Sequence, residues 1–166
     1  MLLEDGYANW HRVPAGIQFM GMKWVDRMME LSRHVSTWSR DPSTKVGAVV
    51  VDVMSKKVLG MGFNGFPRGV NDLQERYDDR PTKYKMVVHA EVNALLNANG
   101  PVQGCALFCT YPPCSECCKY VIQTGIVFIV CPPAIDPRWK ESFETTRIMC
   151  EEAGVHIIFW DSAAYK

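Results

Sequence analysis

At 166 residues the chain has the length of one domain, 1–166, and can bury a full core without staples. Apolar residues make up 48% and charged residues 22%, and Lys+Arg and Asp+Glu are both 18, so the formal net charge is zero. That balance argues against a binder of long nucleic acid, which gains from a basic excess, and no apolar run approaches the roughly 20 residues that span a bilayer. The opening residues carry Glu4 and Asp5 and no basic stretch ahead of an apolar one, so no secretory signal is expected there. Seven cysteines, two of them in C-x-x-C, point to metal or redox chemistry in a reducing cytoplasm before disulfides.

In chain order, residues 1–21 read as an irregular N-terminal extension broken by Pro14, Gly16 and Gly21, ahead of a core from about 22 to 160. Met22 to Ser39 has helical periodicity, with Trp24, Val25, Met28, Met29, Leu31, Val35 and Trp38 on one side, and Asp41-Pro42 ends it. Lys45–Val53 and Lys57–Phe63 are strands joined by a hairpin at Met54-Ser55-Lys56. Phe66–Val87 is polar and reads as one long loop, with no Cys or His to hold a second metal. His89–Asn99 is a helix, Cys105–Thr110 a strand, Cys114–Thr124 a helix stopped by Gly125, and Ile126–Cys131 a wholly apolar strand expected at the centre of a sheet. Arg138–Ala153 is a helix stopped by Gly154, and Val155–Trp160 is the last strand. An antiparallel hairpin followed by parallel β-α-β units predicts a three-layer α/β/α sandwich around a mixed five-stranded sheet.

The chemistry concentrates in His89-Ala90-Glu91 and Pro113-Cys114-Ser115-Glu116-Cys117. One imidazole and two thiolates make a three-ligand zinc set, which leaves the fourth position open to water, as catalytic sites do. Cys114 and Cys117 are i, i+3 on a helix and share a face; Cys118, at i+4, is compatible with the same face. A helix start favours the thiolate form of Cys114. Glu91 is two residues from His89, about 200° around a helix, so it cannot readily grip the same ion. It is free instead to move protons between an attacking water, a ring nitrogen and a leaving amine. H-x-E with P-C-x-x-C is the signature of zinc-dependent base deaminases. The other cysteines, Cys105, Cys109, Cys131 and Cys150, read as core residues.

With HAEVNAL and PPCSECCKYVIQTGI on the page, and with DPSTKVGAVVVD at 41–52 and GMGFNGFPRG at 60–69, the chain resembles the deoxycytidylate (dCMP) deaminases of the cytidine/deoxycytidylate deaminase superfamily. The resemblance implies a cytidine deaminase-like fold and hydrolysis of dCMP to dUMP and ammonia. It implies zinc on His89, Cys114 and Cys117, with Glu91 as the catalytic proton shuttle. It places Asn64 near the deoxyribose, the Ala90 backbone near the pyrimidine carbonyl and Tyr111 against the base. A phosphate needs donors, and Ser43, Thr44, Lys45, Arg40 and Arg68 are candidates for it. The family's habits further imply a homo-oligomer, hexamer or dimer, and control by dCTP and dTTP with Mg²⁺ on the effector. Gly65 and Arg68 are the candidate effector contacts, and no nucleic-acid or membrane partner is implied. The alternatives are an enzyme acting on dCTP as well as dCMP, a tRNA or nucleobase deaminase, and a catalytically silent nucleotide-binding regulator; the intact Glu91 speaks against the last.

Overall fold

The structure, a computed structural model, describes residues 14–133 and 136–160. The first element departs from the expected irregular extension: α1 spans Ala15–Met20. Tertiary packing decides this, because Ile17 and Met20, one turn apart, are both buried in the core. Pro14 stands at the N-cap, where a missing N–H costs nothing, and Gly21, with φ 81°, ends the turn. Residues 1–13 of the extension lie outside the described residues.

The helix α2 spans Met22–Ser36 and leads into β1 (Gly47–Val51) and β2 (Val58–Phe63). The segment expected as a loop holds two short helices, α3 (Gln74–Asp78) and α4 (Arg80–Met86), the latter N-capped by the Asp79 side chain with Pro81 in its first turn. A bridge between Gly65 and Val88 closes the segment at its base, with N–H···O distances of 3.1 and 2.8 Å. Then come α5 (Ala90–Leu96), β3 (Ala106–Cys109), α6 (Ser115–Gln123) and β4 (Phe128–Cys131). A 3₁₀ turn at Pro137–Trp139 starts α7 (Lys140–Ala153), and β5 (His156–Phe159) closes the order.

The five strands form one mixed sheet in the order β2-β1-β3-β4-β5. β1 is antiparallel to β2 and β3, whereas β3, β4 and β5 run parallel. Alternation along the strands sends residues to two cores. Val49, Val51, Ala106, Phe108, Phe128 and Val130 face α1 and α2. Ala48, Val50, Leu107, Cys109, Ile129 and Cys131 face the side of α5, α6 and α7. This is the expected three-layer arrangement, and both faces of the apolar strand Ile126–Cys131 are covered. No helix among the described residues is long and apolar enough to cross a membrane.

The repeated glycines of GMGF have a packing reason. A Cβ on Gly62 would overlap the Ala90 and Ala94 backbone, and one on Gly60 would overlap that of Ala94. The two glycines therefore let α5 lie directly on β2, which sets the height of the α5 N-terminus above the sheet.

Candidate active site

His89 and Cys114 are the N-cap residues of α5 and α6, with extended backbones at φ −73°, ψ 155° and φ −70°, ψ 165°. Cys114 therefore sits just before its helix rather than inside the first turn. Cys117 lies in that first turn. The fold brings the two helix starts together, so that Nδ1 of His89 is 3.5 Å from the Cys114 sulfur and 3.2 Å from the Cys117 sulfur. One donor atom from each residue lies within 4.8 Å of the others. Two donors on one tetrahedral zinc, with bonds of about 2.3 Å to sulfur and about 2.0 Å to nitrogen, stand roughly 3.5 Å apart. The donor set thus fits zinc in both chemistry and spacing. Cys118 points elsewhere: its sulfur is 3.4 Å from that of Cys150 and 3.9 Å from the Thr146 carbonyl. The structure thereby separates the two cysteines that helical geometry alone left equivalent.

The electrostatics of the cluster are those of groups sharing protons. Hydrogen bonds from Cys117 and from His89 bring Cys114 down to about 4, against the effect of its burial. The bond to Cys114, with burial and the Glu91 charge, holds the Cys117 thiol well above its usual value. The bond to Cys114 raises His89, with burial opposing. Glu91 is only 4% exposed, and burial pushes its carboxyl group up to about 7, against the pull of His89.

Of these groups His89, Glu91 and Cys114 line an open cleft, with Cys117 buried beside them. The cleft lies beyond the carboxyl ends of β2, β3 and β4, where ligands bind in open α/β sheets. Asn64, Ala90, Tyr111, Ser43 and Thr44 all line it. The Asn64 amide is spent within the protein. Its oxygen accepts from Val46 N–H at 2.8 Å, and its nitrogen donates to the Thr44 carbonyl at 2.9 Å and to Asp41 at 3.4 Å. Tyr111 donates its hydroxyl to Asp136 at 3.3 Å and packs on Phe143.

Several expected contacts are not in the cleft. Arg40 pairs with Asp72 at 3.1 Å, Arg68 donates to Asn97 at 2.6 Å on the exposed side of α5, and neither these nor Lys45 and Gly65 belong to the lining. The cations that do line it are Arg80, Lys83 and Arg138. Lys83 is buried and reaches Asp41 at 3.1 Å and the Ser43 hydroxyl at 2.7 Å. Burial would raise the Asp41 pKa, but bonds from the Ser43 and Thr44 amides, the Ser43 hydroxyl and Lys83 together hold it below the ordinary carboxylate value. Arg138 grips Asp136 on the opposite wall at 2.6 Å, and that bond first of all brings Asp136 to about 2. Arg80, Lys83, Tyr84 and Val87 carry a helical spacing, i, i+3, i+4, i+7, inside the stretch read as loop; that period was the signal for a pocket-facing helix.

Residues 22–132 match the family model of the cytidine and deoxycytidylate deaminase zinc-binding region. The chain belongs to that family. The match takes in His89, Glu91, Cys114 and Cys117, and makes the chain a zinc-binding deaminase. It is 38% identical over 138 residues to an uncharacterized deaminase of Aliivibrio fischeri, covering 81% of this chain and 92% of that one. It is 34% identical over 142 residues to deoxycytidylate deaminase of Mus musculus, covering 81% of this chain and 78% of the relative. The apo crystal structure of dCMP deaminase from the cyanophage S-TIM5 superposes with a TM-score of 0.66 at 26% identity, over 83% of this chain and 98% of the other. The same cyanophage enzyme has also been solved in complex with dCMP and dUMP, again with a TM-score of 0.66, at 26% identity over 82% of this chain and 96% of that one.

Proposed function

We propose that the chain hydrolyses dCMP to dUMP with release of ammonia, through a single domain spanning the family region. The observation that carries this reading is the buried Glu91 carboxyl group beside a three-donor cluster, in the lining of an open cleft. The substrate follows from the relatives, whose printed names are deoxycytidylate deaminases.

His89, Cys114 and Cys117 would hold zinc. Zinc, when bound, supplies a water acidic enough to attack near neutral pH. Glu91 takes a proton from the attacking water and delivers it to the ring nitrogen. Once the water oxygen has added at the amino-bearing carbon, Glu91 takes the remaining proton of that hydroxyl and passes it to the amine, so that the C–N bond breaks, ammonia leaves and the carbonyl of the product forms. Burial favours the protonated form of the Glu91 carboxyl group, which helps it hold a proton between the two transfers. Ala90, first residue of α5, turns its main chain to the cleft where a pyrimidine carbonyl would lie, and leading helix N–H groups have no partner within their helix. Tyr111, held by Asp136 and Phe143, offers its ring to the base. Asn64 acts through the 41–46 segment that its amide ties down. Incubation of the zinc-loaded protein with dCMP, followed by quantitation of dUMP and ammonia, tests the reading. Equimolar appearance of both supports it, and absence of turnover with zinc bound overturns it.

A further inference from the structure

Of the Lys and Arg side chains that line the cleft, two are held in internal pairs and one is not. Lys83 is committed to Asp41 and Ser43, and Arg138 to Asp136, whose carboxylate it meets at 2.6 and 3.0 Å. Drawing either cation onto a ligand would break an existing ion pair. For Lys83 it would also strand a buried carboxylate, a loss that few ligands repay. Arg80 differs. It is exposed, lines the cleft from the first turn of α4, and makes no ion pair among the described residues. The Thr44 hydroxyl and the Tyr84 phenol, in the same lining, make no hydrogen bond among the described residues.

Resting on the dCMP reading above, we propose that Arg80 is the specificity-determining cation of this cleft: it takes the 5′-phosphate and so separates a nucleotide from its nucleoside. A guanidinium presents parallel N–H donors that match two phosphate oxygens at once, a geometry that an ammonium lacks. Thr44 and Tyr84 supply the uncharged donors. α4 thus forms the phosphate side of the cleft, while the donor cluster and Glu91 form the end that meets the base.

The test compares dCMP with deoxycytidine on the zinc-loaded wild-type protein and on Arg80→Gln and Arg80→Lys. It also measures binding of the products dUMP and deoxyuridine by calorimetry. Loss of a charge-assisted phosphate contact predicts that Arg80→Gln lowers kcat/KM for dCMP by about 10- to 100-fold, with deoxycytidine changed less than about threefold. Arg80→Lys should recover part of the dCMP rate, and dUMP binding should weaken in parallel while deoxyuridine binding holds. An Arg80→Gln protein that keeps the wild-type ratio of dCMP to deoxycytidine rates overturns the inference. So does one that loses both substrates equally, which marks a structural role. A wild-type protein that deaminates neither substrate defeats the dCMP reading itself; the dUMP and deoxyuridine binding arms then still decide whether Arg80 reads a phosphate.

Discussion

Replacing Lys83 by Met removes one partner of a buried ion pair whose side chains are 5% and 4% exposed and whose charged atoms are 3.1 Å apart. Removing one member of such a pair costs about 3–5 kcal/mol when the other is left uncompensated. Asp41 is not left bare. It still accepts from the Ser43 amide and hydroxyl and from the Thr44 amide, at 2.9, 2.8 and 3.1 Å. Those donors reduce the expected loss to about 2–3 kcal/mol, or a fall in Tm of about 5–10 °C for a chain of this length. Urea unfolding followed by circular dichroism measures it, with the midpoint lowered and the slope unchanged. The double variant Asp41→Asn/Lys83→Met, with no charge left buried, should regain a good part of the loss. The sign with pH follows from Asp41. Its folded pKa is held below the ordinary value, so the pair's contribution is present above the unfolded pKa and is lost as pH falls through the folded one. The gap between wild type and Lys83→Met should therefore narrow on acidification. A loss below about 0.5 kcal/mol, or a gap that widens in acid, would refute the reasoning.

Glu91→Gln should lower kcat by about 10²–10⁴-fold while the zinc content of the purified protein, read by elemental analysis, stays near that of wild type. His89→Ala and Cys114→Ser should each lose the metal, and a chelator should abolish wild-type activity in a way that added zinc restores. Gly62→Ala would push a methyl group into the Ala90 and Ala94 backbone. It should cost about 3 kcal/mol or more in urea unfolding and reduce the yield of folded protein.

The layered fold was legible because its strands are short, apolar and bounded by turns, and its long helices carry clear periodicity. The donor cluster was legible because its residue types are chemically specific and adjacent in sequence. Three features were hidden. α1 is held by Ile17 and Met20 in the core, a tertiary effect that outweighs the Pro and Gly around it. α3 and α4 have five and seven residues, too short for a pattern to dominate a polar stretch. Where Cys118 goes needed the position of Cys150 on α7, which no local spacing contains, although the P-C-x-x-C signature already named Cys117 as the donor. The phosphate candidates fared worst for a related reason. Arg40 and Arg68 flank the motifs in sequence but find partners in Asp72 and Asn97, and the lining cations come from segments that carry no motif.

The central claim is that Glu91 and the three-donor cluster together deaminate dCMP. The most direct measurement is a side-by-side assay of zinc-loaded wild type and zinc-loaded Glu91→Gln with dCMP, following dUMP and ammonia. Steady release of both products by wild type, and near-silence from the variant at equal zinc content, is the predicted result. An inactive wild type with zinc bound, or a variant as fast as wild type, would contradict it.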